Sequence, residues 1–336
     1  MKALSVEAGT RPAPRRLELG RLLRRNGWPL AVYLVLLLLL AFTVVIHPTF
    51  GAFDVNSLVV GALPLAFAAI AQTCVVLGGG IDLSIGAMMA VANVLAARFM
   101  VGHSLQYALG ISALILLAGV LAGALNGALA VYTRVPDIVV TLAMSFVWGG
   151  VALLIMAKPG GGAPTGYQEL ATGAVLSPWI PNALILLIVV SAVVWLPLRR
   201  SRAGLAIYAV GSDSVAAFRS GIGIAAAKIL SYLLGGFFAA WGGLALTMST
   251  GIGSPTAGTL YTLSGISAIV LGGVSLAGGR GGLLGPIGAA FILTLVPSDL
   301  ILLGTDPNLG QVIQGVLIVV VVMAGGLAAL IRSRRS

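Results

Sequence analysis

Few side chains in this 336-residue chain are placed to do chemistry on one another. Of its nine acidic residues, Asp54, Glu169, Asp213 and Asp306 fall in loops, and Asp137 and Asp299 lie near the ends of apolar runs, so Asp82 alone interrupts an apolar stretch. A proton-driven carrier needs intramembrane carboxylates that titrate during its cycle, and Asp82 is the one candidate. The lysines Lys2, Lys158 and Lys228 follow Met or Ala. A P-loop needs Lys after Gly, so that backbone amides cradle the phosphates while the ammonium reaches the outer ones; ATP is therefore not hydrolysed on this chain. His47 and His103 lie at the ends of apolar runs, which leaves no base at membrane depth to activate a serine or pair with an aspartate. Cys74 is the single cysteine and sits inside an apolar run, which excludes an intrachain disulfide and a cysteine metal cluster. No catalytic residue and no metal ligand is assigned.

What the residues do encode is bends, caps and one polar island. Val75 to Gly86 reads VVLGGGIDLSIG, with Gly78, Gly79, Gly80 and Asp82 breaking the period between two apolar runs. Non-helical backbone at membrane depth survives only against protein or a water-filled cavity. The glycines suit a sharp re-entrant bend, Asp82 suits the cap of a helix starting near Leu83, and Ser84 adds to that cap. A short capped turn and a pathway-lining bend both fit. Val270 to Arg280, VLGGVSLAGGR, repeats the V-L-G-G opening, with Gly272 and Gly273 at the same positions, a weak internal duplication. Gly119, Gly123 and Gly127 form a small-xxx-small stripe beside Asn126, a pattern for close helix packing. Ser264 and Ser267 read the same way.

The island is RRSRAGLAIYAVGSDSVAAFRSGIGIAAAK, Arg199 to Lys228, which holds five of the 19 basic residues. Gly211 to Ser214 offers N-cap candidates for a short helix over Val215 to Arg219, closed by Ser220 and Gly221. So short a helix is unstable alone in water. Val215, Phe218 and Ile222 share one face, which suits either a groove on another protein or the membrane surface.

The elements that must position these features are membrane helices. Hydrophobic residues make up 59% and charged residues 8% of the chain, which cannot build a water-soluble surface. About ten apolar runs near the ~20 residues needed to cross the hydrocarbon core recur, at 29–46, 58–77, 83–100, 107–132, 138–157, 181–198, 227–248, 260–276, 283–303 and 309–331. The fold class is an all-α integral membrane protein. Its expected parts are a basic cytoplasmic segment (1–28), a transmembrane domain (29–331) with a cytoplasmic loop at 199–226, and a cytoplasmic tail (332–336). With both termini cytoplasmic, the basic head, Arg134, the island, Arg280 and the basic tail all fall inside, and only Arg98 and Lys158 outside. The net charge of +10 then sits beside anionic lipid headgroups. Nucleic acid is not the implied partner, because no aromatic-interleaved basic stretch is present. The first apolar run is long for a signal sequence and lacks a small-x-small cleavage site, so it reads as an uncleaved anchor.

The GGGIDLSIG block, Asn126-Gly127, PDIVVTL from Pro136, the GSDSVAAFRSGI island and SPTAGTLYTLSGISAIVLGGVSLAGGRGG, in this order, resemble the permease subunits of ribose-type ABC importers over about residues 58 to 325. The resemblance implies a type II-like permease architecture in a bacterial plasma (inner) membrane. It implies a cytosolic ABC ATPase that binds the ATP, so that this chain carries no cofactor, together with a periplasmic sugar-binding protein and a second permease copy or paralogue. It makes the region matching Asp213 to Ile222 the element that docks in a cleft of the ATPase, with Asp213, Ala216, Ala217, Phe218, Ser220, Gly221 and Ile222 as its residues. Gly78, Gly79, Gly80, Asp82, Ser84, Asn126, Gly272 and Gly273 are then the expected pathway and bend residues. The implied substrate is a monosaccharide or polyol; a nucleoside or signalling furanone is the alternative within the class, and an ion-coupled carrier the alternative mechanism. This chain carries Thr262 and Ser264 where the family commonly has acidic residues in a YELDAIAA-like stretch. Lys158 to Trp179 is expected to be an irregular outer loop, with Tyr167 offering contact area to the binding protein and Trp179 either contact or a membrane-interface anchor.

Overall fold

The computed structural model describes residues 16–306 and isolated positions between 309 and 323. Among the described residues there are helices and no strands: α1 (Arg16–Ile46), α2 (Ala52–Leu77), α3 (Ile85–Met100), α4 (Leu105–Tyr132), α5 (Asp137–Ile155), α6 (Thr165–Thr172), α7 (Asn182–Arg200), α8 (Arg202–Ser212), α9 (Ser214–Arg219), α10 (Ile224–Thr250), α11 (Thr259–Leu271) and α12 (Leu284–Leu302). Seven of these helical stretches are long and apolar enough to cross a membrane. They correspond to the runs expected at 29–46, 58–77, 107–132, 138–157, 181–198, 227–248 and 283–303. The runs at 83–100 and 260–276 are a different case. Helix α3 has 16 residues and α11 has 13, about 24 Å and 20 Å of helix against a hydrocarbon core of about 30 Å. Each reaches further only by non-helical backbone at its start. The last expected run, 309–331, lies mostly outside the described residues, where the described positions are helical; the tail and the first residues of the basic head also lie outside them.

Helix α2 is the axis of the bundle, with 94% of its membrane-length window buried, against 22% for α4, α5 and α7. Its apolar residues are covered on every side, by α10, α11, α12 and α7, as expected of a helix that is hydrophobic all round. Helices α1, α4, α5 and α7 keep large side chains such as Leu37, Leu121, Leu154 and Val193 exposed on the outside. Without water to drive burial, helix association in lipid depends on close backbone approach through small residues. The stripe on α4 supplies it: Gly119 and Gly123 meet Gly236 of α10 backbone to backbone, and a methyl group on Gly127 would lie 2.8 Å from Tyr232 Cβ. The packing role read from the sequence holds, and Asn126 stands on the neighbouring face, fully buried.

Gly236 also defines a stability test. A side chain there would lie 2.8 Å from the backbone N and Cα of Gly123, and overpacking of this kind costs about 1–3 kcal/mol or more. Gly236→Leu is expected to lower the thermal midpoint of the purified protein or abolish its folded yield. Gly110→Leu, where nothing lies within 4 Å, is expected to change neither; equal melting of the two variants would remove the α4–α10 contact from the account.

Candidate functional site

The polar island folds into two helices. Within the cytoplasmic loop expected over 199–226, Arg202–Ser212 forms α8, with Ser201 capping it by accepting from Gly204 N at 3.1 Å. Asp213 ends α8 and caps α9, its Oδ1 accepting from Val215 N and Ala216 N, both at 2.9 Å. Gly221, at φ +77°, closes α9 with Ile222 N bonded to Ala217 O at 3.0 Å. Ala217 packs inward against Val210 and Ala227. Phe218 is 70% and Val215 58% exposed, while Ile222 is half-buried against that small cluster. A capped helix of six residues thus presents an unpartnered aromatic side chain to its surroundings.

The two V-L-G-G segments end α2 and α11. Each ends its helix in the same turn: Gly79 (φ +80°) and Gly273 (φ +81°) hold the left-handed position. Gly80 N bonds to Val75 O at 3.2 Å, and Val274 N to Ile269 O at 2.9 Å. Six-to-one bonds around a left-handed glycine define the Schellman ending, so the duplication seen in the letters is a duplication of geometry. Beyond the second turn the loop returns, and Gly279 N bonds to Leu77 O at 3.2 Å. A methyl group on Gly278 would lie 2.6 Å from Gly211 O and 3.0 Å from Gly79 Cα. Gly211, at the end of α8, touches the backbone of Leu77 and Gly279. Ser212 Oγ donates to Gly279 O at 3.3 Å, and Tyr208 OH donates to Gly281 O at 2.8 Å. The backbone leading into α9 is therefore locked to the glycine turn after α2 and to the return loop after α11. Gly272 and Gly273 meet Pro286 and Trp28, whose Nε1 donates to Leu271 O at 2.8 Å. Each glycine assigned to a bend from the sequence stands at one.

Asp82, Ser84 and Asn126 come together as one fully buried cluster. Asp82 Oδ1 accepts from Ser84 N at 2.8 Å and Ser84 Oγ at 2.6 Å, and Asn126 Nδ2 donates to Ser84 Oγ at 2.7 Å and to Asp82 Oδ2 at 3.4 Å. Trp148 Nε1 donates to Asn126 Oδ1 at 3.2 Å. One expectation is corrected: α3 starts at Ile85 rather than near Leu83, and neither Asp82 nor Ser84 caps it in the usual sense. Asp82 instead closes the turn that enters the helix, because its carboxylate reaches the N–H two residues on, and Ser84 donates its hydroxyl to that carboxylate.

Two groups missed by sequence reasoning complete the bend. Thr141 accepts from Leu83 N at 3.1 Å and lies within donating distance, 3.1 Å, of Ile81 O. Lys228 Nζ donates to Asp137 Oδ1 at 2.7 Å, tying the start of α10 to the start of α5. Both partners stood at ends of apolar runs, the available signal, but nothing in their spacing pairs residues 91 positions apart.

At the opposite end of the bundle, Lys158 to Trp179 is not wholly irregular, for it contains α6. Tyr167 is on its inner face, fully buried, sharing a 2.8 Å hydrogen bond with Ser112 Oγ. Burial pushes its phenol up to about 12, so it is a neutral packing residue and offers no surface to a partner. The exposed apolar residues of this segment are Val175, Leu176 and Trp179. A second missed residue is Asn93, fully buried in α3. Its Nδ2 donates to Thr247 Oγ1 at 2.8 Å and Ile252 O at 3.1 Å, and its Oδ1 accepts from Ser254 N at 2.7 Å. A cavity of about 270 Å³ between α3 and α4, lined by Met88, Leu95, Ile115 and Trp148, is apolar and offers nothing to a polar ligand.

A bundle of lipid-length helices with paired helix-ending turns and a projecting capped helix is the architecture of a membrane permease. The chain belongs to the family described as the permease component of branched-chain amino acid transport systems, which it matches over residues 55–322. It is similar to the fructose import permease protein FrcC of Rhizobium meliloti, at 32% identity over 88% of this chain and 84% of the relative. It is 32% identical to the ribose import permease protein RbsC of Escherichia coli (strain K12), over 86% of this chain and 91% of the relative. The autoinducer 2 import system permease protein LsrD of Yersinia enterocolitica is 29% identical over 89% and 92%. No solved structure gives a significant match to the chain. The chain is thus a transport permease and not an enzyme.

Two outcomes check the bend. Asp82→Asn keeps an oxygen to accept both bonds from Ser84 and is expected to fold and to retain substantial activity, whereas Asp82→Leu strands Ser84 and Asn126 and is expected to lose folded yield. Loss of activity in a well-folded Asn variant would assign the carboxylate a titrating role. Lys228→Met leaves Asp137 uncompensated, and adding Asp137→Asn is expected to recover about 1–3 kcal/mol in a double-mutant melting cycle; strict additivity would mean the ion pair carries no coupling.

Proposed function

We propose that this chain is the membrane subunit of an ATP-driven importer of a monosaccharide or polyol. The carrying observation is α9, a short helix capped by Asp213 that holds Phe218 clear of the protein while Gly211, at the end of α8, is locked to the turn that ends α2 and to the return loop after α11. That no lysine follows a glycine in the sequence supports a separate cytosolic subunit as the site of ATP, and the capped helix with its exposed aromatic suits a groove on that subunit. Asp213, Ala216, Ala217, Phe218, Ser220, Gly221 and Ile222 form the docking element. ATP-driven closure of the ATPase subunits would move α9, and the joint beneath it would carry that motion to α2, α3 and α11 as alternating access.

Around this core the remaining assignments follow. The architecture is type II-like with about ten spans in a bacterial inner membrane, both termini cytoplasmic, since that orientation puts the basic excess inside. A second copy or a paralogue completes the pathway. A periplasmic binding protein delivers the substrate, and the exposed Val175, Leu176 and Trp179, rather than Tyr167, offer it contact area. The sugar class is supported by the fructose and ribose import relatives. A furanone signal is the second reading, supported by the autoinducer 2 relative at nearly the same identity.

Phe218→Asp puts a charge into a desolvated groove without touching the fold of the bundle, and a buried aromatic anchor is worth about 2 kcal/mol or more at an interface. The variant is expected to insert and melt like the parent, to lose its ATPase subunit on purification, and to stop ATP-dependent uptake. A variant that keeps its ATPase and transports normally would overturn the docking assignment.

A further inference from the structure

Helix α10 ends at Thr250 and α11 begins at Thr259, and the backbone between them does not stay at the surface. Residues 251–258 run along α3 in the opposite direction. Gly253 packs on Ala97 and Val94, Ser254 N is held by Asn93 Oδ1 at 2.7 Å, and Gly258 touches the backbone of Gly86 and Ala90. Gly86 to Ala97 is eleven steps of helix, about 16 Å, so this non-helical segment, paired at Gly253 and turning over residues 255–258, lies alongside about half of a ~30 Å hydrocarbon core. Asn93 compensates the loss of helical hydrogen bonds by engaging Ile252 O and Ser254 N. Gly160 and Gly253 exchange two further bonds, at 3.0 and 2.9 Å.

The segment has two sides. Gly253, Pro255 and Gly258 are buried against α3, whereas Ile252, Thr256, Thr259 and Leu260 are exposed. Non-helical backbone at this depth is tolerated where it is covered by protein or borders water, never against lipid. Beside Ile252 and Leu260 the exposed side carries hydroxyls: Ser254 Oγ and Thr256 Oγ1 lie 3.4 Å apart and Thr259 follows, while the Thr262 hydroxyl faces Gly86 of α3. No charged side chain occurs between Lys228 and Arg280, so this face has no attraction for an ion. Hydroxyls both donate and accept, which matches a ligand whose own hydroxyls do the same.

We propose that Ile252 to Leu260 is the substrate-contacting wall of the pathway, with the Thr256 and Thr259 hydroxyls binding a neutral polyhydroxylated molecule in transit and Asn93 as the positioning residue that holds the wall in place. The inference rests on the import reading above and adds to it the surface that meets the substrate.

The test uses the full complex with its ATPase and binding protein in proteoliposomes, in a Cys74→Ala background. Thr256→Cys and Thr259→Cys are expected to react with a membrane-impermeant thiol reagent, and Leu121→Cys, on the lipid-facing side of α4, is not. Thr256→Val combined with Thr259→Val is expected to slow uptake from saturating loaded binding protein by about tenfold, the equivalent of one or two lost hydrogen bonds, and the two Ser replacements to restore it. The proposal is overturned if both cysteines stay unreactive while the unmodified complex imports, or if the double Val variant imports at the parent rate. Failure of the unmodified complex to take up substrate with ATP would instead overturn the import reading, and the labelling would still decide whether the segment borders water.

Discussion

The rest of the structure depends on a backbone-to-backbone contact that tolerates no side chain. Gly79, Gly211, Gly278 and Gly279 bring the end of α2, the end of α8 and the return loop after α11 to one point, where even a methyl group on Gly278 would meet Gly211 O at 2.6 Å. Packed interiors are stiff at this spacing, so a displacement of the α8–α9 corner cannot be absorbed locally. On the proposed reading the corner before α9, the turn after α2 and the return loop after α11 then form one mechanical unit, the property a membrane subunit needs if its energy source is another protein.

Lipid imposes the second constraint. Every buried polar group needs a partner inside the protein, and α3 shows how the chain meets it at two points. At its start, Asp82, Ser84, Asn126 and Trp148 satisfy one another; midway along it, Asn93 satisfies the non-helical chain beyond α10. Helix α3 is thereby fastened to the joint at one end and to the segment 251–258 along its length. Under the proposed function, a rigid element with two such attachments would carry a movement from the end that bears α9 toward the segment 251–258. The Lys228–Asp137 ion pair closes the same circuit at the start of α10.

Much of this was legible in the letters, for reasons that can be named. Lipid-length apolar runs, the caps of α9 and the glycine turns are local features: a Schellman ending needs only Gly-Gly at the right place, and Asp213 needs only its own next residues. The packing stripe at Gly119, Gly123 and Gly127 was legible because small residues at a spacing of four have one main use in a lipid-facing helix. What was illegible depends on long-range pairing. Tyr167 looks like an exposed aromatic in a Gly-Pro loop, and only the placement of α6 against Ser112 shows it is buried. Asp82 reads as a helix cap, but the helix starts later because the turn must first deliver Ser84 to Asn126. Asn93 carries one weak signal, an amide inside an apolar run, and nothing near it in sequence points to Ser254, 161 positions away.

The central claim is that α9 and the glycine turns move as one body. Spin labels at Ser214 on α9, Arg280 on the return loop and Trp179 at the far end of the bundle, all exposed, would measure it in the assembled transporter with Cys74 replaced. Between the nucleotide-free and ATP-trapped states, the 214–280 distance should stay constant while the 214–179 distance changes. A 214–280 distance that changes while 214–179 stays fixed would show the corner slipping over the joint, and would contradict the account.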